Sequence, residues 1–289
     1  MFKKLLKYDM KATWRVWWIL IPSLFGLSTL FALSLRIITE TAEQENPHVF
    51  TILLSLLSML FMSIAYIGFF GSIVMTEVLV FVRFYKNLFT DEGYLTFTLP
   101  VSRPTILLSK TVNALFWMML HLLLLLSCVP IFLLIVPIPE SGGMLLSFSA
   151  FADLFEGIAM LVKNLGGWLF LYVPVVLLLL GLSAFASVAL IQFCITFGAT
   201  VVRKAKLLLA VGIYYGINSA LSIVFSIGGL FGGIFLTEGF VQILTNAPPA
   251  QIHLSVVLIL LLIGAMLAAF ATLLYSITLS MIERKLNLS

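Results

Sequence analysis

The sequence predicts an all-α membrane protein with six transmembrane helices and both termini in the cytoplasm. Three observations predict it. The chain is 62% hydrophobic and only 10% charged, with a mean hydropathy of +1.19, which is more apolar surface than one water-soluble core can hide. Six apolar runs are long enough to cross about 30 Å of hydrocarbon, which takes roughly 20 helical residues. Basic residues gather in short clusters in alternate connections between those runs, and so on one side of the membrane, which is how a chain is oriented in a bilayer. The formal charge of +4 is used up in these clusters, and nothing in it points to nucleic acid.

The N-terminal stretch "MFKKLLKYDMKATWRVWW" places Lys4, Lys7, Lys11 and Arg15 on one helical face and Phe2, Leu5, Leu6 and Trp14 elsewhere. It predicts an amphipathic interfacial helix ahead of the first span. The basic start also resembles a signal peptide, but the apolar stretch runs to about twenty residues with no small-residue cleavage site, so an uncleaved first span is expected. The spans are placed near 16–36, 50–81, 105–137, 167–201, 207–236 and 253–282. The second, third and fourth exceed the minimum, and Pro130, Pro137 and Pro174 are candidate kinks. No linker or internal repeat divides the chain, so one membrane domain over 1–289 is expected. Between spans three and four, "MLLSFSAFADLFEGIAMLVKNLGG" sets Phe148, Phe151, Phe155 and Ile158 on one stripe with Asp153 and Glu156 off it, as in a helix lying on the outer leaflet.

Orientation follows from charge. The N-terminus, the second loop, the fourth loop and the tail hold fourteen of the sixteen Lys and Arg residues, Arg36 and Lys163 being the exceptions. Glu40, Glu43, Glu45, Glu140, Asp153, Glu156 and Glu238 fall in the opposite loops. This asymmetry places both termini inside.

Chemistry-bearing residues are sparse. Phosphate-loop and H-E-x-x-H motifs are absent, and His48, His121 and His253 lack metal-ligand spacing. The chain is therefore not expected to be an enzyme, nor to hold a cofactor or metal. Cys128 and Cys194 are expected to be packing residues. His121 lies deep in the third span, where it either bonds a neighbouring helix or faces a cavity. Glu77 is the one carboxylate in a span, open to a proton relay or to solvent. Asn113, Gln192 and Asn218 suit inter-helix hydrogen bonds. Ion-coupled transport usually uses intramembrane carboxylates or broken helices, so energy should come from outside the chain.

One stretch breaks the apolar pattern. Between spans two and three, "RFYKNLFTDEGYLTFTLPVSRPTILLSK" (83–110) contains a short helix-compatible piece, a turn at Gly93 and a stop at Pro100. Leu88, Phe89, Tyr94, Leu95 and Phe97 are too apolar to stand free in water. Either the chain's own helix ends cover them, or a partner accepts the segment in a groove.

With this segment, the basic N-terminus, the six spans and a Gly-rich, Pro-broken stretch "GGLFGGIFLTEGFVQILTNAPPAQIHL" before the last span, the chain resembles the permease subunits of type 2 ABC exporters of Gram-positive bacteria. The resemblance is topological over the whole chain and local over 87–110. It implies a coupling helix that docks into a separate ATPase subunit through Asn87, Leu88, Phe89, Asp91, Glu92, Gly93, Tyr94 and Leu95, with Pro100 and Pro104 redirecting the chain. It implies an outer re-entrant hairpin before the last span. It implies a plasma-membrane assembly of two permease and two ATPase subunits, the ATPase binding ATP and Mg. A substrate path between two copies would draw on Ser63, Tyr66, Tyr214 and Asn218 among apolar walls, which suits a hydrophobic or amphipathic substrate: a membrane-active or antimicrobial peptide first, then a drug or lipid-like molecule. The alternative function is a non-transporting scaffold or sensor that holds a soluble partner through the same loop.

Overall fold

A computed structural model describes residues 2–44, 46–135, 149–202, 205–246 and 248–285; for 91, 149–150, 228–246 and 285 the backbone alone is described. Among these the regular structure is all helix: α1 (Phe2–Ala42), α2 (Val49–Phe89), α3 (Asp91–Thr98), α4 (Arg103–Ile135), α5 (Ser149–Leu165), a 3-10 turn (Gly166–Trp168), α6 (Leu169–Val201), α7 (Lys206–Asn246) and α8 (Pro249–Lys285). Six helical stretches are long and apolar enough to cross a bilayer. The chain is a multi-pass membrane protein.

Several boundaries differ from the sequence reading, each for a local reason. No separate interfacial helix precedes the first span, because the amphipathic stretch forms the opening turns of α1 itself. Lys4, Lys7, Lys11 and Arg15 are exposed there, as their shared face requires, while Asp9, Thr13, Trp17, Leu20 and Leu24 run down the buried side. Nothing in 2–42 breaks the helix: Pro22 lies within it, and at 1.5 Å per residue its 41 residues reach about 60 Å, twice the hydrocarbon thickness. Pro130 and Pro174 likewise lie inside α4 and α6. Pro137, Phe148, Glu45, Glu140, Arg203 and Lys204 fall outside the described residues. The Gly-rich stretch after 227 is not a hairpin: α7 runs unbroken to Asn246, and α8 opens at Pro249. Glycine weakens a helix by about 1 kcal/mol but does not end one.

By internal contacts the chain forms two compact units. One comprises Met1–Phe2, Val80–Leu115 and Gly167–Ser289, the other Lys3–Leu79 and Phe116–Gly166. In the first, α6 packs on α7 and α8 around a core of small residues and leucines: Ala186, Ala189, Leu190, Cys194, Ala271 and Leu274. Small side chains let helix backbones approach, which is the main source of association where lipid removes any hydrophobic drive. At Gly198 α6 and α7 come close, since a Cβ there would stand 2.8 Å from the carbonyl oxygen of Lys206. Thr111 Oγ1 donates to Gln192 Oε1 at 3.1 Å, joining α4 to α6 as expected of a buried amide in a span. Asn218 instead donates to Tyr214 O within its own helix. Tyr172 Oη lies 3.0 Å from His253 Nδ1, and Trp168 stacks on the same imidazole at 5.2 Å.

The second unit is built on tryptophan. Trp17 and Trp117 stack with ring centroids 4.8 Å apart, in a core with Leu20, Leu24 and Cys128. Ser28 Oγ donates to Cys128 O at 3.2 Å, fixing α1 against α4. Both cysteines are buried and free, consistent with packing roles. In α5, Leu154, Phe155, Ile158, Leu161 and Val162 are all exposed. On a helical wheel they share one broad arc opposite Asp153, Glu156 and Lys163.

Candidate partner-docking site

The corner from α2 to α4 anchors a short helix at several points. α2 ends at Phe89, and Thr90 adopts an extended conformation that turns the chain into α3. The last carbonyls of α2, which have no partner inside the helix, find hydroxyls here: Thr90 Oγ1 donates to Lys86 O at 2.6 Å. Thr96 Oγ1 lies 3.1 Å from Asn87 O and 2.9 Å from Glu92 O, sharing its proton between them. Thr96 therefore ties the middle of α3 to the end of α2.

Gly93 brings the two helices together. Its N–H donates to Thr90 O at 2.7 Å, and a Cβ on it would lie 2.5 Å from Leu88 O and 2.7 Å from Leu88 C. Only a residue without a side chain fits. Leu88 is 1% exposed beneath this contact.

Asn87 connects the corner to α4. In the amide orientation that satisfies its neighbours, Nδ2 donates to Glu92 Oε2 at 2.8 Å and Oδ1 accepts from Lys110 Nζ at 3.2 Å. Lys110 is buried, so its role extends beyond orienting the chain. After α3, Leu99 is extended, Val101 N–H donates to Leu99 O at 2.7 Å, and Ser102 starts α4 by accepting from Thr105 and Ile106. Pro104 occupies the first turn of α4, where a missing N–H costs nothing.

Arg103 closes the arrangement. Its Nη1 donates to Ile282 O at 2.9 Å and Glu283 O at 2.5 Å, the unpaired carbonyls at the C-terminal end of α8, where a cation also complements the helix dipole. Its guanidinium stands 6.0 Å from the Phe97 ring. A charge that the sequence offered only as topology is thus a clamp on α3, α4 and α8.

The eight residues implied as docking contacts divide accordingly. Leu88 and Gly93 face inward and hold α3 in place. Phe89 is half-buried against Phe84 and Tyr85, each 6.2 Å away by ring centroid. Asn87 is half-buried, Glu92 is exposed, and Asp91 opens α3 with its side chain outside the described residues. Tyr94 and Leu95 project, 62% and 68% exposed. Thr96, Arg103 and Lys110 were missed as positioning residues. Their signal is a hydroxyl or cation near a helix end, too common in sequence to single out.

Of the four path residues, Ser63 and Tyr66 lie on the exposed face of α2, where Tyr66 packs on Phe70 at 5.5 Å. Tyr214 and Asn218 sit one turn apart and half-buried on α7. Glu77 is half-buried in α2. His121 is buried with neither ring nitrogen hydrogen-bonded, so the expected bond to a neighbouring helix is not made. It makes instead a T-shaped contact with the Trp17 ring, 6.0 Å away. Among the described residues no cluster of His, Cys, Asp or Glu is placed to hold a metal.

No family model, no curated protein and no solved structure matches the chain.

Proposed function

We propose that this chain is the membrane permease subunit of an ATP-driven ABC exporter of the plasma membrane, with both termini cytoplasmic, and that α3 transmits the work of a separate ATPase subunit. The observation that carries the reading is the pairing of rigidity with exposure at α3. A helix of eight residues is fixed by Gly93, Thr96, Asn87 and Arg103, yet presents Tyr94 and Leu95 to solvent. A loop that merely connected two spans would not need such fixing, and an exposed aromatic–aliphatic pair on a rigid base is what a partner's groove can grip.

The scarcity of ionisable groups in the spans supports an external energy source, so ATP and Mg belong to the partner. A second copy completes the permease, giving two permease and two ATPase subunits. The exposed side of α2, with Ser63 and Tyr66 among Leu, Ile, Met and Phe, could not repay the desolvation of a strongly charged solute. The substrate is therefore amphipathic, a membrane-active peptide before a drug or lipid-like molecule.

The test joins the chain with a candidate ATPase in proteoliposomes. An amphipathic helical peptide is expected to stimulate ATP hydrolysis, and a sugar or polar amino acid is not. Truncating Tyr94 or Leu95 to Ala should weaken ATPase binding by about 2 kcal/mol, roughly thirty-fold, as for an interface anchor. Stimulation by polar solutes alone would sink the substrate assignment. Partner binding that depends on Tyr94 without any stimulation would favour the scaffold.

A further inference from the structure

An apolar cavity of about 340 Å³ lies between α1 and α2, within the unit that contains Lys3–Leu79. Two glycines shape it. At Gly68 a Cβ would stand 2.7 Å from Leu27 Cδ1, so the helices touch there and the groove closes. At Gly71, one turn along, a Cβ would meet nothing within 4 Å, so the missing side chain is what leaves the groove open. The wall hydroxyls are already committed: Ser23 donates to Leu20 O at 2.8 Å and Ser72 to Phe69 O at 2.7 Å. The groove therefore offers a guest dispersion contacts and no free donor.

Its mouth has a different character. Ile19, Ser23 and Leu27 follow one another at four-residue spacing on α1, and the same row continues backward to Arg15 and Lys11, both exposed. Residues four apart are neighbours on a helix surface. Two cations thus stand just beyond the end of a hydrocarbon-lined slot, where their long stems can reach toward a headgroup.

We propose that this groove is a binding site for an anionic phospholipid, one acyl chain lying over Gly71 and the phosphate paired with Arg15 and Lys11. A second copy is the poorer occupant. Under a two-fold axis along the membrane normal, a symmetric contact brings the same patch of both copies to the same level, setting Arg15 and Lys11 against their own equivalents. A lipid brings the opposite charge and a chain of matching chemistry. The site does not depend on the export reading.

The full chain, purified in detergent, is titrated with phosphatidylglycerol or with phosphatidylcholine of the same acyl chains, and bound lipid is counted by native mass spectrometry. Phosphatidylglycerol should be retained more tightly, by about five-fold for each cation. Arg15→Gln should cost about five-fold for phosphatidylglycerol and leave phosphatidylcholine unchanged, and Arg15→Lys should restore it. Gly71→Leu, which fills open space, should keep helix content and elution volume yet lose the tightly held lipid. Equal retention of the two lipids by the unaltered chain overturns the site, as does full retention in Gly71→Leu. So does efficient disulfide cross-linking between copies of Gly71→Cys in membranes, with Cys128 and Cys194 replaced by Ser.

Discussion

Gly93→Val is expected to reduce recovery of the proposed ATPase partner with this chain at least as far as truncating Tyr94 does, while all six long helices still insert. The cause is space. Gly93 is helical with an ordinary φ, so conformation does not demand glycine, but the Cβ would fall 2.5 Å from a backbone oxygen that cannot rotate away. To relieve the overlap, α3 must lift off the end of α2, at a cost of about 1–3 kcal/mol. That lift breaks the Thr96 bridge to Asn87 and carries Tyr94 and Leu95 out of register with any groove. Gly212→Ala is the control, because nothing lies within 4 Å of a Cβ at that position and alanine should strengthen α7 slightly. Co-purification against a fixed ATPase concentration reads the effect. Wild-type recovery in Gly93→Val, with Gly212→Ala alongside, would mean that α3 is not the contact.

What the sequence made legible follows from the range of the physics involved. The six long helices are written in composition, because crossing hydrocarbon requires a run of apolar residues wherever the chain goes. The short helix at 91–98 is local as well: its polar interruption, Gly93 and Pro100 all lie within a few residues. Helix ends were less legible. α1 and α2 each extend well beyond their apolar cores because flanking Lys, Arg and Leu residues are good helix formers and no Pro or Gly stops them there. The inward and outward faces of 87–95 could not be read from composition: Leu88 and Leu95 are the same residue type, and only the close approach at Gly93 decides that one is 1% and the other 68% exposed. The clamp made by Arg103 depends on carbonyls 179 and 180 residues away, and no local pattern announces such a partner.

The tryptophan core of the second unit gives the other large effect, and two neighbouring substitutions should act with opposite signs. Trp17 is 1% exposed, stacked on Trp117 and in T-shaped contact with His121. Trp17→Ala is expected to destabilise the chain by about 3 kcal/mol, at the low end for deleting a buried indole. The low end applies because separated helices remain in lipid, so the loss is packing and cavity formation, with no transfer to water. His121→Leu should do the reverse. Its imidazole is buried with both nitrogens unpaired, a condition that costs about 1–3 kcal/mol for an unmet polar group, and leucine removes those nitrogens while keeping an apolar side chain beside Trp17. Thermal unfolding in detergent, followed by tryptophan fluorescence and by loss of the folded elution peak, measures both. A higher midpoint for His121→Leu with unchanged ATPase stimulation would make the histidine a packing residue carried at some cost to stability. A higher midpoint with lost stimulation would identify it as part of the working machinery, where stability is commonly given up for function. A lower midpoint would show that the imidazole is hydrogen-bonded in the membrane and that its unpaired state is not the one the protein adopts there.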